Sequence, residues 1–229
     1  MADRETDSLY ARMRNDFGAR SARANGYRSE DYFRREQETL FEFLKTQTGV
    51  LLDIGSGSGL MLLPLANNNR TVVGIDFNQL ACIAAKSNGI NVINGDAFAL
   101  PLSDQSIDEV VNCQFLNQQP SESVERLAEE VFRVLKPGGQ AIFVWRNAGA
   151  LIHQVAHGLL TAWDRMQGRP LFPQYRHDVA VVSEQLSRAG FHIEHRELTC
   201  PPIGWRSESV HGVLGRIIGA SCLIAAIKR

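Results

Sequence analysis

Between residues 49 and 139 the chain alternates short, β-branched apolar runs with stretches whose apolar positions recur every three or four residues. The runs fall at residues 50–54, 71–75, 90–93 and 107–111, and their near-continuous hydrophobicity predicts strands buried on both faces. Helices are predicted between them at 60–66, at 79–87 and from Ser121 onward. In the last of these Val124, Leu127, Ala128, Val131, Val134 and Leu135 share one face, with Glu122 and Glu125 in the first turn. Pro137-Gly138-Gly139 closes that helix, whereas Pro64 falls inside the first one, where its missing N–H predicts a bend or an early end. Residues 140–145 predict a fifth strand, 179–189 a short helix stopped by Gly190, and 191–197 and 221–228 two closing strands. Strand alternating with helix at this rhythm implies crossover connections. The fold class is therefore α/β, a doubly wound, mostly parallel sheet with helices on both faces.

Two flanks frame this region. Residues 1–48 are polar and arginine-rich and predict a helical N-terminal preface: Ser29 is a cap, Glu30 and Asp31 fill the first turn, Phe33, Leu40 and Leu44 share a face, and Gly49 is placed to stop the helix. Residues 146–178, with Gly149, Gly158, Gly168, Pro170 and Pro173, read as irregular. The expected organisation is a single domain over 1–229, with a cap at 1–48, a core at 49–145, and a substrate-facing segment with the closing strands at 146–229.

Composition narrows the class. The chain is 44% apolar and 21% charged with a formal net charge of −1, ordinary for a globular protein that buries a core. The four cysteines, Cys82, Cys113, Cys200 and Cys222, form no Cys-x-x-Cys pair, which argues against a structural zinc and a disulfide framework. No dense basic run with interleaved aromatics advertises a nucleic-acid groove. The first residues alternate charges where a signal peptide needs an apolar run, and the apolar stretch at 213–227 is short and contains Arg216. A cytoplasmic protein without a transmembrane segment is expected. All six histidines lie at or beyond His153, so imidazole chemistry would come from the last third.

The most specific feature is Asp53-Ile54-Gly55-Ser56-Gly57-Ser58-Gly59, directly after the first strand. Glycines there let the backbone turn tightly and let a ligand lie against main-chain N–H groups. Leu60 stands where a dinucleotide fingerprint would carry its third glycine, and Asp53 would set negative charge close to a pyrophosphate. A cationic or zwitterionic ligand suits the loop better. Asp76 ends the second strand, where a carboxylate accepts hydrogen bonds from a ribose diol in nicotinamide and adenosine binders alike. Asp96, in Gly95-Asp96-Ala97 after the third strand, is placed either to accept from an adenine amino group or to make a turn.

With these pieces in order, residues 49–145 resemble the class I S-adenosylmethionine-dependent methyltransferases, in the branch that includes the ubiquinone and menaquinone methyltransferases. Four motifs carry the resemblance: Leu52 to Gly59, Gly74-Ile75-Asp76, Gly95-Asp96-Ala97 with Leu100-Pro101-Leu102 and Ser106-Ile107-Asp108, and Val134-Leu135-Lys136-Pro137-Gly138-Gly139. The resemblance implies a seven-stranded sheet whose last strand, 221–228, runs antiparallel. It implies S-adenosyl-L-methionine as cofactor, S-adenosyl-L-homocysteine as product and a small-molecule acceptor. Within the loop of Asp53, Gly55, Ser56, Gly57 and Gly59 it sets Gly55 and Gly57 against the methionine part. It further sets Asp76 on the ribose, Phe77 beside the adenine with Asp96 and Ala97 at its edge, and Asn112, Cys113 and Gln114 next to the sulfonium.

Many relatives carry a His pair where this chain has Asn117-Gln118, and neither amide takes a proton. A base, if one is used, would then come from His177, ahead of His153 and His157, and no metal is expected. One of Arg20, Arg23 or Arg28 is placed to pair with the cofactor carboxylate if the preface folds over it. A binding protein without turnover and a nicotinamide-dependent oxidoreductase are the other readings the residues leave open.

Overall fold

Eight strands form one sheet in the order β3-β2-β1-β4-β5-β8-β6-β7. The computed structural model describes residues 21–22, 27, 29–66, 69–148, 150–167, 174–200, 205–207, 219 and 221–229, and the side chains at 151–153, 156, 157, 160, 164 and 205 lie outside that description. Arg20, Arg23 and Arg28, and the side chains of His153 and His157, fall outside the described residues.

Strands β1 (Gly49–Ile54), β2 (Arg70–Asp76), β3 (Asn91–Asn94), β4 (Ile107–Cys113) and β5 (Leu135–Arg146) are parallel. Strand β8 (Ser221–Lys228) inserts antiparallel between β5 and β6 (Phe191–Cys200), as the resemblance implies. The expected count of seven is exceeded by one: β7 (Trp205–Ser207) adds three residues antiparallel to the edge of β6. So short a strand has no periodicity to betray it in the sequence.

The central strands β1, β4, β5 and β8 are largely apolar because both of their faces are covered. Leu52, Ile54, Val110, Phe143 and Trp145 pack on one side with α3 (Ser123–Val134) and α5 (Val179–Arg188). Leu51, Val72, Val111, Ile142 and Val144 pack on the other, with Leu40 of α1 (Glu30–Glu42) and Ala85 of α2 (Gln79–Ser87). Leu51 and Leu52, both fully buried, point to opposite layers.

Three expectations are corrected. Residues 60–66 form no α-helix: turns lead to a three-residue 3₁₀ segment, Leu63–Leu65, with Pro64 in its first turn. The glycine loop therefore does not open a regular helix. Residues 151–166, expected to be irregular, hold helix α4 (Leu151–Met166); Gly158 and the nearby prolines masked its periodicity. Helix α1 ends at Glu42 rather than near Gly49, because Lys45 and Thr46 donate their N–H groups to the Glu109 carboxylate instead of continuing the helix.

Glu109 also pairs with Arg70 at the amino end of the sheet, where both side chains are 2% exposed. Removing one member of a buried pair strands the other charge. Glu109→Leu is therefore expected to cost about 3–5 kcal/mol of unfolding free energy, read from urea denaturation; a loss below about 1 kcal/mol, the range of exposed pairs, would contradict this.

Candidate functional site

The strand order reverses direction between β1 and β4, and the crevice outside the carboxyl ends of strands at such a point is where open α/β sheets bind ligands. The loop after β1 lies there. Gly55, Gly57 and Gly59 all have positive φ, at 73°, 54° and 75°, a conformation that side chains with a Cβ resist. At Gly55 space forbids one as well, since an added Cβ would sit 2.5 Å from Cδ2 of Phe115.

Asp76 fixes the loop's shape. One carboxylate oxygen accepts from Gly57 N–H at 2.8 Å and the other from Asn78 N–H at 2.9 Å. Each oxygen keeps a lone pair for a further donor. Burial pushes the Asp76 carboxyl up, and the two N–H groups pull it back. Asp53 is more extreme. It is 3% exposed, accepts no hydrogen bond among the described residues, and is pushed up to about 7 by burial and then by the Asp76 charge. Two buried atoms at the site, Ser56 Oγ and Asn112 Oδ1, have no hydrogen-bond partner among the described residues.

At the end of β4, Gln114 has φ 63°, a left-handed value that costs a residue with a Cβ and recurs at functional positions. Its N–H donates to the Val144 carbonyl at 2.7 Å and its side-chain amide to Glu36 Oε1 at 2.7 Å. Phe77 is 64% exposed beside Asp76, a free ring face. Asp96 is exposed and accepts from Phe98 N–H at 2.9 Å, closing a turn, while Ala97 is buried.

His177 is buried. Its Nε2 lies 2.8 Å from the Leu116 carbonyl, so that nitrogen carries the proton, and its own carbonyl accepts from Trp145 Nε1. Asn117 is similarly occupied, donating to Gln114 Oε1 and accepting from Arg146 N–H. Both tie the 174–177 segment and the ends of β4 and β5 together. Glu36, Tyr27, Tyr32 and Phe115 reach the crevice without having been singled out. The one available signal, an acid at a buried position of an amphipathic helix, was hidden among nine acids in the preface. Among the described residues no cluster of His, Cys, Asp and Glu is placed to hold a metal, and no helix is long and apolar enough to cross a membrane.

Residues 52–143 match the family model described as a methyltransferase domain. The chain is 27% identical over 175 residues to a protein of Mycolicibacterium smegmatis named "Probable S-adenosylmethionine-dependent methyltransferase", covering 74% of this chain and 63% of that one. It is 34% identical over 116 residues to the demethylmenaquinone methyltransferase of Lactobacillus johnsonii, covering 45% and 47%. These relatives are thus matched over about half to two thirds of their length. Among solved structures, a Thermotoga maritima protein described as "SAM-dependent methyltransferase, possible histamine N-methyltransferase" superposes with a TM-score of 0.70 over the whole of both chains at 18% identity. That likeness establishes the fold.

Asp53 generates a pH prediction. Its native value near 7 lies above that of an unfolded Asp, so the native state holds more protons between about pH 4 and 7, and stability falls as pH rises through that window. Asp53→Asn removes this contribution. The melting temperature of the variant should decline less between pH 5 and 8 than that of the wild type; parallel curves would show Asp53 to be ionised throughout.

Proposed function

We propose, from the premise that residues 52–143 are a methyltransferase domain, that the chain is an S-adenosylmethionine-dependent methyltransferase acting on a small-molecule acceptor. The observation that carries this reading is the cradle at the β1/β4 crevice: a glycine loop clamped by Asp76, beside a buried acid without an ion pair and two polar atoms without a hydrogen bond among the described residues. That donor and acceptor set suits a zwitterionic, cationic nucleoside. It suits a pyrophosphate poorly, because the loop opens no helix and carries Asp53. The names of the relatives and of the solved neighbour point the same way.

In this reading Asp76 accepts from the ribose hydroxyls with its remaining lone pairs, and Phe77 lies against the adenine with Asp96 and Ala97 at its edge. Gly55, Ser56, Gly57 and Gly59 let the ligand approach the main chain, and Asn112, Cys113 and Gln114 line the reacting end. When bound, S-adenosylmethionine supplies a methyl group activated by a sulfonium. The protein's tasks are then to align the acceptor and keep water out. His177, with Nε2 donating to the Leu116 carbonyl, holds the 174–177 segment in place.

Calorimetric titration of the full chain is expected to give micromolar binding of S-adenosylmethionine and S-adenosylhomocysteine and none of reduced nicotinamide cofactors. The reverse order would replace this reading. Asp76→Ala should weaken both sulfur nucleotides by roughly 1–3 kcal/mol, and unchanged affinity in a folded variant would remove Asp76 from the site.

A further inference from the structure

Buried acids in this chain fall into two kinds. Away from the crevice each is paired with a cation, Glu109 with Arg70 and Glu197 with Arg206. At the crevice Asp53 and Glu36 are buried, each 3% exposed, without an ion pair among the described residues. Burying a carboxylate away from a counter-charge is costly and pushes it toward its neutral form, so a cation reaching this edge would bring both acids the counter-charge that the described residues do not supply.

Glu36 is the less expected of the two. Leu40, one turn later on α1, packs in the layer of Leu51, Val111 and Val144, which sets Glu36 toward the carboxyl edge. There its carboxylate accepts from Tyr27 O–H at 2.6 Å, Gln114 Nε2 at 2.7 Å and Ser221 O–H at 3.2 Å, with the Cys113 thiol at 3.7 Å. All four donors are neutral. Burial pushes the Glu36 carboxyl up, and these hydrogen bonds, with the more distant charge of Arg146, only partly offset that. The Cys113 thiol lies 3.7 Å from the Glu36 carboxylate and is raised by burial and by the Glu36 charge, with a smaller contribution from Asp53.

We infer that Glu36 is a charge-reading residue of the crevice, supplied by the N-terminal helix, that selects a ligand bearing a positive centre at the end of β4, namely the sulfonium. This rests on the reading of the domain as a binder of S-adenosylmethionine. Tyr27, Gln114 and Ser221 hold the carboxylate in place.

The test is calorimetry on the full chain with three nucleosides: S-adenosylmethionine, its neutral thioether S-adenosylhomocysteine, and sinefungin, which carries a protonated amine in place of the sulfonium. Glu36→Gln is expected to bind both cationic ligands about tenfold more weakly while S-adenosylhomocysteine stays within about twofold, the signature of a lost charge-assisted contact. An equal loss for all three, or no loss, would make Glu36 a purely structural anchor and overturn the inference. If the variant does not fold, the wild type decides: the two cationic ligands should bind more tightly than the thioether at low salt, and a thioether bound as tightly as both would overturn it. A wild type that binds none of the three would instead reject the cofactor reading itself.

Discussion

The site depends on one contact that crosses from strand to loop. The Asp76 carboxylate, at the end of β2, takes the Gly57 N–H on one oxygen and the Asn78 N–H on the other, so a single side chain ties the glycine loop to the start of the following turn. The contact needs the parallel register of β1 and β2, in which Ile54 pairs with Ile75 and the loop leaves one residue short of Asp76. It also needs Gly74, because an added Cβ there would meet Ser56 Oγ at 2.5 Å. Strand packing, glycine placement and carboxylate geometry therefore form one constraint, and the crevice takes its shape from it.

Electrostatics divides the molecule along the strands. At the amino end, acids are neutralised: Glu109 by Arg70, and Asp108 by Lys136 at 2.7 Å. At the carboxyl end Asp53, Asp76 and Glu36 are raised by burial and lack ion pairs among the described residues. Buried acids shifted in this way and left without a counter-charge cluster at functional sites. The unpaired edge is the one where the strand order reverses, so topology and charge independently mark the same crevice.

Much of this was legible in the chain. The core strands and the helices at 79–87 and 123–134 follow from hydrophobic period, because buried parallel strands and amphipathic helices write their burial directly into the sequence. The glycine loop and Asp76 were legible for a different reason: tight turns and strand-end acids have few chemical substitutes. What escaped were features decided by distant partners. Helix α1 stops early because Glu109, far along the chain, captures the Lys45 and Thr46 N–H groups. The role of Glu36 depends on Gln114 and Ser221, and Ser221 lies 185 residues away. The contact of the His177 ring with the Leu116 carbonyl, 61 residues away, is likewise visible only in the fold.

The most direct test of the central claim is amide hydrogen exchange on the full chain with and without S-adenosylhomocysteine. The account predicts that the ligand slows exchange at residues 55–59, 76–78 and 112–115, the three segments that the β1/β4 crevice brings together, and leaves the amino end of the sheet unchanged. Protection confined to other segments, or none at saturating ligand, would contradict it.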